Sequence, residues 1–300
     1  MIPLTMNSDT HVSCPLCRKT ASVFLRAQDF NRRTTDEVFT YYRCSACLLV
    51  FQFPIPSDLD RYYTSDYYAT PSSLEKLELE AASESYKIEL VKRFAKSGRI
   101  MDIGAGYGRF VFLAHKAGYE VDAIEVNREC CEFIARVIGT RAIAHAQPEV
   151  ALADLESYDV ITFWHVVEHL TDPWSALEAA VQKLRIGGSL IIAMPNPQAF
   201  QFRVFGQYWA HVDAPRHLQL VPVHLLTHEL TSDGRMRFVE VTTSDQGSLD
   251  YNYLGWTWSM RNTIRLRGIW RIGGVLARIF GRFEQVGMRG SCYTIVFQKQ

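Results

Sequence analysis

From Arg99 to Ala193 the chain alternates short apolar runs with amphipathic ones, and this alternation constrains the fold more than any other feature. The spacing predicts strands over Ile100–Ile103, Glu120–Ile124, Asp159–Phe163 and Ser189–Ala193. Between them it predicts helices over Phe110–Lys116, Glu129–Ile138 and Trp174–Leu184. Short strands that each lead into a helix imply a mostly parallel sheet with helices on both faces, a doubly wound α/β fold. Such sheets bind ligands at the carboxyl ends of their strands, near the point where strand order reverses.

The first of these strands runs into Asp102-Ile103-Gly104-Ala105-Gly106-Tyr107-Gly108. Glycines there let main chain turn sharply and approach a ligand closely. The spacing is Gly-x-Gly-x-Gly, which matches a dinucleotide pyrophosphate less well than Gly-x-Gly-x-x-Gly. The next strand leads to Glu125, seventeen residues beyond Gly108, with Asn127 just after it. A carboxylate at that strand end can accept both hydroxyls of a ribose. Loop and acid together make a nucleoside-type pocket.

With these residues in place, the chain resembles class I S-adenosylmethionine-dependent methyltransferases over about residues 85–245. The resemblance rests on the Asp102–Gly108 loop, on Glu125, on the run Tyr158–Pro173 containing Trp164-His165 and Glu168-His169, and on Leu184–Asn196. It implies a Rossmann-like sheet of seven strands, the last antiparallel, and S-adenosylmethionine as cofactor. Gly104, Ala105 and Gly106 would line its methionyl and ribose part, Glu125 would take the ribose hydroxyls, and Trp164 and His165 would face cofactor and acceptor. Asp102, Gly108 and Asn127 complete the candidate cofactor set. The third strand ends in Ala144-His145-Ala146-Gln147-Pro148, which leaves the adenine contact open.

Upstream, Cys14-x-x-Cys17 and Cys44-x-x-Cys47 are separated by 26 residues. Two such knuckles make a tetrahedral site of four thiolates, and a segment of about fifty residues needs that metal to fold. Zinc is the default, and iron in a rubredoxin-like site uses the same ligands. With every position filled by protein, the metal is structural. Residues 1–55 are therefore expected to be a zinc-ribbon-like module. Residues 56–97 would be a tyrosine-rich linker and an amphipathic helix (Leu74, Leu77, Ala81, Ile88, Val91, Ala95), and residues 98–300 the methyltransferase domain. The cysteine module and linker resemble a bacterial subgroup associated with modifying sugars, surface glycans or secondary metabolites. That implies a small-molecule or carrier-linked glycan acceptor. Tyr67 and Tyr68 serve either to pack the two parts together or to line a pocket for it.

Methyl transfer to oxygen needs a base, and histidine is the natural one near neutral pH. His165 is best placed, immediately after a strand; for Glu168-His169 a structural role is favoured. The loop His211–Leu218 supplies a rival base in His217, while Asp213 and Arg216 are candidate acceptor ligands, Arg216 for an anionic group.

Lysine plus arginine equals aspartate plus glutamate at 32 each, yet residues 256–300 carry eight basic side chains against one acid. Much of that excess falls in an insertion at about 246–290 between the last two strands, expected over Phe238–Thr243 and Cys292–Gln298. On a helix, Arg267, Arg271, Arg278 and Arg282 form a stripe beside Ile272, Val275, Leu276, Ile279 and Phe283. That pattern suits contact with an anionic membrane surface; the reading preferred from sequence is a lid whose apolar face packs on the domain. Residues 1–60 carry six basic and six acidic side chains, so a nucleic-acid partner is not expected. An RNA methyltransferase is thus the runner-up, and a non-catalytic binding protein of the same fold a further alternative. No secretory signal opens the sequence and the seven cysteines fit a reducing compartment, which points to the cytoplasm.

Overall fold

The computed structural model describes residues 11–64, 67–264, 266 and 268–300. Its N-terminal strands are β1 (Val12–Ser13), β2 (Thr20–Ala27), β3 (Phe39–Cys44) and β4 (Val50–Gln52). Two helices follow, α1 (Leu74–Ala81) and α2 (Ser85–Phe94). The alternating region comprises β5 (Arg99–Ile103), α3 (Arg109–Lys116), β6 (Glu120–Glu125), α4 (Arg128–Phe133), β7 (Arg141–Ala144), α5 (Pro148–Leu152), β8 (Tyr158–Trp164), α6 (Pro173–Lys183) and β9 (Leu184–Pro195). Beyond it lie α7 (Phe200–Phe205), β10 (Gln219–Leu220), α8 (Val223–Thr231), β11 (Met236–Thr242), α9 (Gln246–Thr263), α10 (Trp270–Glu284) and β12 (Cys292–Lys299).

The main sheet has seven strands in the order β11-β12-β9-β8-β5-β6-β7. From β9 to β7 every pairing is parallel, and β12 runs antiparallel to both neighbours. Strand periodicity explains why both faces carry helices. Met101, Ile103, Ile161 and Phe163 point to one face, where they meet Leu177 and Val181 of α6. Ile100 and Val160 point to the other, against Phe110, Val111 and Ala114 of α3 and Ile88 and Val91 of α2.

The second sheet is antiparallel, in the order β1-β2-β3-β4-β10. Its last strand comes from residues 219–220, pairing Gln219 with Phe51 and Leu220 with Val50. The sheet beside the four cysteines is thereby completed by chain from beyond the main sheet's fifth strand in sequence.

Three elements depart from expectation. The helix predicted over residues 74–95 is divided by a 3-10 turn at Ala82–Glu84. The helix predicted over Glu129–Ile138 becomes α4 followed by a π-helical turn at Ile134–Ile138, which ends where Gly139 turns left-handed. The insertion is a pair of helices, and its apolar stripe packs only in part: Leu276 packs against the buried cluster around Trp256 and the Phe283 ring lies 5.0 Å from that of Phe200, while the rest of the stripe faces outward. Arg267 lies outside the described residues; Ile272, Val275 and Ile279 are 51%, 52% and 63% exposed. The inward face is different. Gly273 lets α10 approach α9 so closely that a Cβ there would stand 2.6 Å from Thr257 Cα. Phe280 stacks on Trp256 at 5.3 Å, and the Trp256 indole N–H donates to the buried Glu284 carboxylate at 3.1 Å. Among the described residues no helix is long and apolar enough to cross a membrane.

Candidate active site

Strand order reverses beside β5, which has β6 on one side and the later β8 on the other. A cavity of about 660 Å³ opens there, at the carboxyl ends of these three strands. Gly104, Ala105 and Gly106 line it from the loop after β5, Glu125 from the end of β6, and Trp164 and His165 from the end of β8.

The glycine loop is shaped by contacts that exclude side chains. Gly104 has φ of 73°, and a Cβ on it would lie 2.2 Å from Val166 Cγ2. Gly106 donates its main-chain N–H to Glu125 Oε2 at 2.8 Å, while Asn127 N–H donates to Glu125 Oε1 at 2.9 Å. Burial raises the Glu125 carboxyl, and these N–H groups act against it. A Cβ added at Gly106 would meet no atom within 4 Å, so this loop leaves room for a ligand. Asp102 also borders the cavity; burial pushes it up to about 7, and the Thr162 hydroxyl donates to it at 2.7 Å. Trp164 has a buried indole N–H with no acceptor among the described residues. A carboxylate at a strand end, an unpartnered donor and an open glycine loop fit a nucleoside-bearing cofactor.

Two members of the expected cofactor set are not cavity walls. Gly108 is the N-cap of α3, with φ of 89°, and a Cβ there would lie 2.8 Å from Ile134 Cγ1. Asn127 turns its side chain to cap α4, accepting Cys130 N–H at 2.9 Å. Both are taken up by local structure.

Facing the loop is an aromatic wall of Tyr63, Tyr67, Tyr68 and Tyr251, with His169 beside it. Tyr67 sits 4.9 Å from Tyr63 and 5.0 Å from Tyr68 between ring centroids. His165 holds a left-handed backbone, φ 58°, rare for a side chain of that size. Its ring lies 4.1 Å from that of Tyr251, and its Nδ1 is 3.6 Å from Glu168 Oε1. Burial, reinforced by Lys87, pushes the His165 imidazole down to about 3, so it is neutral at pH 7.

The loop candidates are placed elsewhere. His217 is buried behind this wall and donates its Nδ1–H to His211 O at 2.8 Å. Arg216 is fully buried: its Nη2 lies 2.6 Å from Asp29 Oδ1 and 2.8 Å from Asp213 Oδ1. Burial alone would raise both carboxyls, but the guanidinium holds them below the usual carboxylate range. Arg216 and Asp213 therefore satisfy each other and Asp29, and neither is a free receptor for an anionic acceptor.

Sequence reasoning missed Glu84, Lys87 and Tyr251, all cavity walls. Lys87 Nζ lies 2.7 Å from Glu84 Oε2 and 5.0 Å from the Trp164 ring centroid. Burial raises the Glu84 carboxyl, yet Lys87 and Arg109 hold it below its ordinary value. The three-residue spacing of Glu84 and Lys87 on a helix entrance was the available signal.

The four cysteines converge at the edge of the second sheet. Sγ–Sγ separations are 3.7 Å for Cys14–Cys47, 3.4 Å for Cys17–Cys44 and 3.7 Å for Cys17–Cys47. A tetrahedron with Zn–S bonds of about 2.3 Å has edges of about 3.8 Å, so the donor set fits zinc or iron. Burial raises the Cys14 and Cys47 thiols; it acts on Cys44 as well, but there the main-chain N–H groups of Cys47 and Ala46 pull the thiol down to about 7.

Comparison with known proteins agrees with this geometry. The family described as "Methyltransferase domain" matches residues 77–234. A ubiquinone biosynthesis O-methyltransferase of Ruegeria sp. (strain TM1040) is 29% identical over 54% of this chain and 67% of its own length. One of the same name from Bordetella avium (strain 197N) is 25% identical over 55% of this chain and 72% of its own. A geranyl diphosphate C-methyltransferase of Streptomyces coelicolor A3(2), solved with S-adenosyl-L-homocysteine, superposes with a TM-score of 0.50. It shares 15% identity over 79% of this chain and 88% of that one, a likeness of fold.

Proposed function

We propose that this chain, which belongs to the methyltransferase-domain family as a class I S-adenosylmethionine-dependent enzyme, methylates a hydroxyl oxygen on a small ring-bearing acceptor. The observation that carries the reading is His165: a neutral imidazole facing the same cavity as the glycine loop and Glu125. When bound, S-adenosylmethionine supplies a sulfonium methyl group, an electrophile that needs alignment more than activation. Glu125 holds the ribose diol, and the Gly104–Gly106 main chain accommodates the neighbouring atoms. Lys87 and Glu84 offer one charge of each sign to the zwitterionic methionyl end.

On the acceptor side, the tyrosines present flat apolar faces that suit either a sugar ring or an arene. His165 takes the hydroxyl proton as oxygen attacks. The names of the curated relatives support oxygen as the target. A sugar or carrier-linked glycan hydroxyl remains our finer reading of the acceptor. The test is to incubate the enzyme with methyl-labelled S-adenosylmethionine and a panel of sugars, glycan carriers and phenols. An O-methyl product, located by mass spectrometry, is expected; label appearing only on nitrogen or carbon acceptors would overturn it.

Zinc, or iron in the same ligands, is proposed for the four cysteines as a structural ion. With seven free cysteines, a reducing compartment such as the cytoplasm is proposed as the working environment.

A second reading concerns where the enzyme works, and the outer face of α10 favours it. Exposed Trp270, Ile272, Val275 and Ile279 lie among exposed Arg271, Arg278 and Arg282, and the helix's one acid, Glu284, is buried. A bilayer with anionic headgroups complements both features.

A further inference from the structure

We propose that Glu168, His169 and His217 form a second metal site, for a divalent transition ion such as Zn²⁺, Fe²⁺, Mn²⁺ or Co²⁺, separate from the four-cysteine centre. One ligand atom from each of the three residues lies within 4.8 Å of the other two. The two imidazole rings stand nearly perpendicular, at 82°, with centroids 4.6 Å apart.

The carboxylate is the observation that calls for a cation. Glu168 is fully buried, and among the described residues neither of its oxygens has a hydrogen-bond partner. Burial favours the neutral form of such a carboxyl, and a cation bound to it is what would hold it as a carboxylate there. Its surroundings supply no arginine or lysine within ion-pair distance among the described residues, only His165 Nδ1 at 3.6 Å.

The imidazoles are already set to be ligands. His217 Nδ1 lies 2.8 Å from His211 O, and His169 Nδ1 lies 3.0 Å from Arg216 O, with the Tyr63 hydroxyl, which can accept the same N–H, also at 3.0 Å. A carbonyl oxygen only accepts, so these partners assign the proton of each ring to Nδ1. That leaves Nε2 of each ring as the nitrogen available to an ion. Metal-binding histidines are oriented in this way, with the far ring nitrogen donating to a main-chain carbonyl.

The three ligands come from two segments that are fixed independently of any ion. Leu218 N–H donates to Glu168 O at 2.7 Å, and the Tyr41 hydroxyl donates to His217 O at 2.8 Å. Arg216, between Asp29 and Asp213, anchors the same loop. Two nitrogens and one oxygen suit a borderline first-row ion better than Mg²⁺ or Ca²⁺, which prefer oxygen cages. Three protein ligands also leave coordination positions open, and His169 is itself a wall of the cavity. The inference does not depend on which acceptor atom is methylated.

The test uses the full-length chain with its cysteine centre saturated with zinc, titrated with Co²⁺. One Co²⁺ per chain is expected, giving weak visible d–d absorption without the near-ultraviolet thiolate-to-cobalt band that exchange at the cysteines would produce. Glu168→Gln, nearly isosteric, should weaken Co²⁺ binding at least about tenfold while far-ultraviolet circular dichroism stays unchanged. Absence of any non-thiolate cobalt spectrum in the unmodified protein would overturn the proposal, whatever the variant does. So would a spectrum that survives unchanged in folded Glu168→Gln protein.

Discussion

Gly106 N–H meets Glu125 Oε2 at 2.8 Å, tying the loop after the first strand of the main sheet to the end of the second. One carboxylate thus shapes the glycine loop and faces the cavity that the loop borders. Glu125→Ala removes both the ribose acceptor and this tie. S-adenosylmethionine affinity should fall by about 1–3 kcal/mol, the range for hydrogen bonds to a charged group. Isothermal titration calorimetry checks it, and unchanged affinity in a folded variant would remove Glu125 from the cofactor site.

Arg216 is expected to matter for stability. Its two carboxylate partners have folded-state pKa values below the unfolded ones, so their contribution is present above about pH 4. It is lost as pH falls through their lowered folded values. Arg216→Ala leaves Asp29 and Asp213 buried without a counter-charge and should cost about 3–5 kcal/mol at pH 7. The difference from the unmodified protein should narrow as both are titrated into acid. Denaturant melts at pH 7 and pH 3 measure it, and a gap that widens in acid would contradict the assignment.

The inner strands β5, β6, β8 and β9 were legible because each is largely buried and reads as a short apolar run, whereas the edge strand β7, exposed at Arg141 and Ala144, gave no such run. His165, Glu125 and the glycines were legible for a related reason: they stand at strand ends, where topology alone sends a side chain toward the crevice. What long-range pairing decides was not. Nothing local in Gln219-Leu220 announces a partner in Val50 and Phe51. Arg216 reads as a free guanidinium until Asp29, 187 residues away, is seen to face it. On α10, one helical stripe looks as suitable for burial as another. The small side of Gly273 won the inward position because it lets two helix backbones touch, and Ile279 was left outside.

Removing a cysteine tests the structural ion. Purified protein should carry metal at the four-cysteine centre, and Cys44→Ser should lose it and open residues 11–52 to protease. Because β10 completes that sheet, cleavage near residues 219–220 should rise too. Metal analysis and limited proteolysis read both effects, and a metal-free protein with a resistant N-terminal sheet would refute the site.

The exposed face of α10 predicts flotation with vesicles containing phosphatidylserine or phosphatidylglycerol but not with neutral ones. Raised salt should reduce it by screening. Replacing Arg271, Arg278 and Arg282 with glutamine should do the same, leaving circular dichroism unchanged. No flotation on anionic vesicles at low salt would exclude the membrane reading.

Turnover of labelled S-adenosylmethionine by His165→Ala tests the central claim most directly. A positioned base contributes about 10²–10⁴-fold, so turnover should fall by that factor while cofactor affinity stays nearly intact. His217→Ala, behind the aromatic wall, should leave more activity than His165→Ala. Turnover of His165→Ala within a few-fold of the unmodified enzyme, or a loss confined to His217→Ala, would contradict the account.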